Sequence, residues 1–189
     1  MSHTLDDVIP VGVTVTFMRM DRAPDDPAPP LPPGVAVRRL SHCSVPQYRT
    51  LYNTVGAPYV WWLRRILPDA HLAGLLRSPA VSIHVLSQDG VDGGFYELDA
   101  SHWPAVNLSY FGLMPHAVGL GFGYAFLRHA VANGFGMGAR AMTVNTCTAD
   151  HPRALPAYLR AGFRVVRQVR EQWDVPVSLG LVIPDHLRL

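Results

Sequence analysis

Three glycines at alternate positions, Gly119, Gly121 and Gly123, separate a run that alternates like a strand from a run with helical spacing. Val106 to Leu113 carries the period-two pattern and is closed by Pro115. From Gly123 to Asn133, Phe126, Leu127, Ala130 and Val131 fall on one stripe, as a helix buried on one face requires. Met142 to Cys147 alternates again. A strand, a tight turn, a helix and another strand form a crossover, the connection that parallel neighbours need. The chain therefore contains one parallel unit, and its other strands must be arranged around it.

Those strands read as hairpins. Val81 to Ser87 and Gly94 to Asp99 flank the turn Gln88-Asp89-Gly90. Val11 to Met20 and Val35 to Leu40 read as strands, as do Phe163 to Val169 and Trp173 to Val177. Helical spacing marks Val45 to Val55, Tyr59 to Leu67, Ala70 to Leu76 and Arg153 to Arg160. Six prolines between Pro24 and Pro33 make an extended connector. The short segment before it is too small for a domain, so its strand is expected to pack back on the main body. The fold class is α/β, with a mixed, mostly antiparallel sheet flanked by helices.

Composition bounds the function. At 189 residues, 49 % of them hydrophobic, the chain suits one domain with a real core. A net charge of +2 is too small to argue for nucleic acid. All 16 basic residues are arginine, so no lysine is available for a Schiff base. The two cysteines, Cys43 and Cys147, form no CxxC pair, and no metal site follows from them. Met1 to Pro10 carries Asp6 and Asp7 and lacks the basic and apolar regions of a signal peptide. No apolar run is long enough to span a membrane. A cytoplasmic protein is expected.

Chemistry enters at the glycines. They let the backbone turn tightly and leave amides unpaired at a helix start, a cradle for a pyrophosphate. The spacing is neither the GxGxxG of dinucleotide folds nor a P-loop. Taken alone, it fits a close-packed turn equally well. A second pattern lies downstream. Asp150-His151-Pro152 looks like a helix cap, and Ala154-x-x-x-Tyr158-x-x-x-Gly162-Phe163 follows.

With both motifs in place, residues 106–165 resemble the acetyl-CoA-binding half of the GNAT superfamily of N-acetyltransferases. The stretch Thr146 to Leu155 is similar to a bacterial branch of it. The resemblance implies one GNAT domain over residues 1–189, in which 1–34 supply the first strand and the Pro-rich loop. It implies acetyl-CoA as co-substrate, without a metal. Leu113, Met114, Val118, Gly119, Leu120, Gly121, Phe122, Gly123 and Asn145 would lie at the coenzyme. Gly121 and Gly123 match the glycines of the motif (Q/R)xxGxG(A/G), whereas Val118 and Leu120 replace residues that are often polar. Tyr158 matches the tyrosine beside the coenzyme sulfur.

The resemblance also implies direct attack by an amine in a ternary complex. A free alkylamine has a pKa of about 10 and must lose a proton first. Amides near Leu113 would hold the acetyl oxygen, and Tyr158 would assist the leaving thiolate. Glu97 shares a strand face with Asp99 and is the favoured base or amine anchor. The alternative is a solvated strand carboxylate, with Asn107 and Ser109 orienting a water. Tyr59, Trp61, Trp62 and Trp103 form an aromatic set, part core and part acceptor pocket. The acceptor is a small-molecule amine or an amine of a protein or peptide, and a homodimer is compatible with the resemblance. Two other readings remain: a non-catalytic acyl-CoA-binding module, and an interaction domain using the Pro-rich segment.

Overall fold

The computed structural model describes residues 7–189. Most of the N-terminal segment read as lacking a signal peptide lies outside the described residues. β1 (Val8–Met20) and β2 (Val35–Arg39) are followed by α1 (Val45–Gly56) and α2 (Asp69–Arg77). Next come β3 (Val81–Gln88), β4 (Val91–Asp99) and β5 (Ala105–Leu113). α3 (Gly123–Gly136), β6 (Ala141–Cys147), α4 (Ala154–Ala161) and β7 (Arg164–Pro176) complete the order. The strands form one seven-stranded sheet in the order β2-β3-β4-β5-β6-β1-β7. Its pairs are antiparallel except β5 with β6, the two strands joined by α3.

Helices cover both faces because alternate residues of the central strands are apolar on both sides. Tyr96, Leu98, Val106 and Leu108 pack with Phe126, Leu127, Ala130 and Val131 of α3 and with Tyr158 of α4. Ile83, Val85 and Phe95 pack on the other side with Tyr48, Leu51, Tyr52 and Val55 of α1 and Leu72 of α2. β1 is not an appendage: it lies between β6 and β7 and is hydrogen-bonded to both. Its Val11, Val13 and Val15 form a third cluster with Val175, Ile183 and Leu187.

Two expectations from the sequence fail. Tyr59 to Leu67 is not a helix. A 3-10 turn at Ala57–Tyr59 gives way to Val60 in the left-handed region, with φ 58°, and the chain runs irregularly to Pro68. A β-branched residue there ends helical geometry. The two late strands are one: β7 runs through the polar stretch Arg170–Gln172, because β1 is long enough to pair with it on both sides of a bulge at Val166. Among the described residues no helix is long and apolar enough to cross a membrane.

Candidate active site

The parallel pair β5/β6 holds together only from Ala105 beside Ala141 to Leu108 beside Val144. Beyond that point β5 continues with β4, and β6 continues with β1. Each strand keeps one partner and leaves its other edge bare, and a wedge opens between them. The Met114 N–H donates to Gly93 O at 2.8 Å, towards β4. Successive amides of a strand point to opposite edges, so Leu113 and Phe111 turn their N–H groups into the wedge. The same bond corrects the placement of Met114, whose amide is already used and whose side chain is buried with α1.

A cavity of about 870 Å³ fills the wedge. It follows β5 from Asn107 to Leu113, about 20 Å of strand. At one end Val118, Gly119, Gly121 and Gly123 line it, opposite Arg153 and Arg160. Gly119 and Gly121 have φ of 86° and 90°, which only glycine adopts without strain, and a Cβ on either would point into open space. No side chain caps α3 and its first turn holds no acid, so its leading amides keep their partial positive charge. Leu120 is exposed and Phe122 is buried in the core, so neither side chain faces the cavity.

Tyr158 reaches the cavity from α4. Its ring packs edge-on against Phe111 and Phe163, at 6.4 and 5.9 Å. Gly162, with φ 108°, closes α4 by directing the cap amides to Leu159 O and Tyr158 O, which fixes the Tyr158 turn. Burial, and then the Asp150 carboxylate, push the Tyr158 phenol well above its ordinary range. It is therefore a neutral donor. Burial also lifts the Cys147 thiol to about 12, too high for a nucleophile at neutral pH.

Asp150 does not cap α4. It accepts Thr146 Oγ1–H at 2.7 Å, Cys147 N–H at 2.9 Å and Trp61 Nε1–H at 3.2 Å. The amide of Arg153, the residue that caps α4, is bonded to His151 Nδ1 instead. Trp61 is thereby pinned between Tyr52 and Tyr110, with ring centroids 5.3 and 5.1 Å away. Trp62 packs on the opposite side, with the β1 cluster, and Trp103 lies on an exposed turn away from the cavity.

Glu97 is fully buried and does not line the cavity. Tyr48 O–H donates to it at 2.5 Å, and Arg64 Nη2 donates at 2.8 Å. Burial works against the Arg64 cation, yet the Glu97 carboxylate outweighs it and the guanidinium stays charged. A carboxylate so enclosed has no route to an incoming amine. Asp99, two residues on and on the same face, does line the cavity. Among the described residues it accepts only the Ser101 amide, at 2.8 Å. Beside it Asn107 donates to Ser109 Oγ at 3.1 Å and accepts from Thr143 Oγ1 at 2.9 Å. Among the described residues no group of three or more His, Cys, Asp or Glu side chains is placed to hold a metal ion.

This architecture is that of the GNAT fold. The chain is similar to a GCN5-related N-acetyltransferase from Sphaerobacter thermophilus, at 17 % identity and a TM-score of 0.60, over 89 % of this chain and 53 % of that one. It is similar to another from Kribbella flavida, at 15 % identity and 0.59, over 86 % and 60 %. An aminoglycoside acetyltransferase from an uncultured soil metagenomic sample matches at 16 % identity and 0.56, over 68 % and 88 %. The chain thus spans just over half to three fifths of the first two structures. No protein-family model matches the chain, and no curated protein does.

Proposed function

We propose that the protein is an acetyl-CoA-dependent N-acetyltransferase. The observation that carries this reading is the wedge: bare amides of Phe111 and Leu113 stand beside Tyr158, in a cavity that continues to the uncapped start of α3. The residues present fit the coenzyme. The amides of Gly119 to Gly123 and the first turn of α3 would hold its pyrophosphate, with Arg153 and Arg160 supplying the charge that Val118 and Leu120 lack. Acetyl-CoA supplies an activated acetyl group as a thioester.

The chain's own residues do the rest. The Leu113 N–H stabilises negative charge on the acetyl oxygen as the amine adds. A chain of waters along β5, which Asn107 and Ser109 order at its far end, carries the proton that the amine nitrogen loses away from the Leu113 amide and towards Asp99. Tyr158 gives its phenolic proton to the departing sulfur and regains one from solvent. Glu97 holds Arg64 in the floor of the site.

Two measurements test the proposal. Acetyl-CoA should raise the melting temperature, because a ligand at a hundredfold excess over Kd adds about 2.7 kcal/mol. Free thiol should then appear when an amine acceptor is added. No melting shift at millimolar acetyl-CoA refutes the assignment, whereas a shift with no thiol release from any amine favours a non-catalytic acyl-CoA-binding module.

A further inference from the structure

Resting on that reading, we infer that the acceptor carries a carboxylate a few atoms from its amine, as an α-amino acid does, and that Arg64 binds it. Arg64 and Glu97 form an ion pair with two unlike sides. The Glu97 carboxylate is wholly buried, whereas the Arg64 side chain stays 18 % exposed and lines the cavity. Both Glu97 oxygens are used, Oε2 by Tyr48 Oη and Oε1 by Arg64 Nη2. The guanidinium is not used up. Its Nε is enclosed, but Nη1 is not, and Nη1 has no partner among the described residues. That amino group carries two N–H donors and opens to the cavity.

Arg64 is also held in one position. Its N–H donates to Tyr52 Oη at 3.3 Å, and its carbonyl accepts from Arg49 Nη1 at 3.2 Å. Its Cζ lies 5.2 Å from the centre of the Tyr110 ring. An anchor fixed in this way loses little freedom when a ligand arrives. Other charges in the cavity do not compete for the place. Asp150 is occupied by three donors. Arg153 and Arg160 stand at the glycine end, and Asp99 pairs with Asn107 at the opposite end.

The spacing fits a short amino acid. Tyr110 is three residues, about 10 Å of strand, from Leu113. A hydrogen bond from the Leu113 amide, the acetyl carbonyl and the attack distance of the nitrogen take up roughly 7 Å of it. Few atoms are left between amine and carboxylate. Tyr52, Trp61 and Tyr110 wall the cavity at the same level, which suits an apolar or aromatic side chain. Attack joins the amine nitrogen to the acetyl carbon, and the carbon–sulfur bond breaks. The amine proton leaves along the water chain, and the sulfur takes one from Tyr158. An N-acetyl amino acid and the free coenzyme thiol are the products.

The test sets amino acids against amines that lack only the carboxylate, with acetyl-CoA and the full chain. The pairs are phenylalanine with 2-phenylethylamine, tryptophan with tryptamine, and leucine with 3-methylbutylamine. Each acid should exceed its amine in kcat/KM by roughly 10–100-fold, the worth of a hydrogen bond to a charged group. Arg64→Gln combined with Glu97→Gln removes both charges and strands neither. Arg64→Lys keeps a cation for Glu97 but draws its single nitrogen there. In both variants the acid-to-amine ratio should fall towards unity, mainly through KM of the acid, with the acetyl-CoA melting shift retained. Amines equal to or better than their acids overturn the inference, as does a ratio that survives in both variants. No turnover of the three amino acids, while acetyl-CoA still stabilises the protein, overturns it too. Loss of that stabilisation in the wild type instead removes the enzymatic reading, and the inference with it.

Discussion

The polar cluster around His84 makes the stability of the protein depend on pH in a way that can be calculated. The imidazole is buried on β3 and stacks on Tyr96, with centroids 4.6 Å apart and planes 12° apart. Its Nδ1 faces the donor Nδ2 of Asn133 at 3.3 Å, and Nε2 faces Ser82 Oγ at the same distance. Asn133 also donates to Tyr96 Oη at 2.7 Å, and that hydroxyl meets His129 Nδ1 at 3.0 Å. A proton on Nδ1 of His84 would set donor against donor. Burial first, then the Arg39 and His129 charges, hold the His84 pKa down to about 4, from an ordinary 6.5. The folded state refuses a proton that the unfolded chain accepts. The contribution is complete above pH 6.5 and is lost as pH falls from there towards 4, about 2.5 kcal/mol by pH 4.5. For a chain of this size that is roughly 5–10 °C in melting temperature. Urea unfolding of wild type and His84→Gln, at neutral pH and at pH 4.5, isolates it, because the variant has no proton to take up at that position. His129 and the carboxylates cancel in the difference. If the gap between the two proteins is the same at both pH values, the burial argument is wrong.

Four further outcomes are expected. Gly121→Asp should abolish the acetyl-CoA melting shift, because a carboxylate would stand where the pyrophosphate approaches. The fold should survive with about 1–2 kcal/mol of backbone strain, since nothing lies within 4 Å of the new Cβ; calorimetric titration measures the first and urea unfolding the second. Tyr158→Phe should lower kcat roughly 10²-fold at unchanged acetyl-CoA affinity, and a full-rate variant would leave Tyr158 as packing alone. Deletion of residues 1–20 should leave a chain that does not fold cooperatively, judged by its thermal transition. Five buried side chains go with it, Val11, Val13, Val15, Met18 and Met20, at about 1.5–3 kcal/mol each, and β7 loses its only strand partner among the described residues. Glu97→Gln should destabilise by about 2–4 kcal/mol, because Arg64 then keeps a mostly enclosed charge with no anion. Its pH–rate profile should keep the wild-type shape, whereas a base role would flatten the difference at high pH.

The fold was legible wherever local pattern and local geometry agree. The crossover β5–α3–β6 rests on period-two and helical runs divided by glycines, and each element lies within a few residues of its expected place. The β3–β4 hairpin turns at Asp89 and Gly90, both with positive φ. The position of β1 was not legible. Nothing in Val8–Met20 says that it separates β6 from β7, because sheet order is set by long-range pairing and not by the strand's own pattern. The irregular run after Val60 was hidden for the opposite reason: Trp61, Trp62, Ile66 and Leu67 mimic helical spacing, while Trp61 faces the α1 cluster, Trp62 the β1 cluster and Ile66 the solvent.

The site divides along the same line. Gly121, Gly123, Leu113, Asn145 and Tyr158, the residues that the motifs single out, line the cavity. Arg153, Arg160 and Asp150 went unmarked, since what matters for them is which loop folds over which strand. Glu97 and Asp99 show the limit most sharply. Period two rightly puts them on one face, but it does not say how far along that face helix α1 extends. Tyr48 and the Arg64 loop roof over Glu97 and stop short of Asp99. Of two carboxylates that a strand presents identically, one becomes a buried counter-ion and the other remains open to the cavity. The choice between base and scaffold is made by an element some fifty residues earlier in the chain, and only Asp99→Asn, compared with Glu97→Gln in the same acceptor assay, reads it out directly: the first should lose rate most near neutral pH, and the second should lose stability.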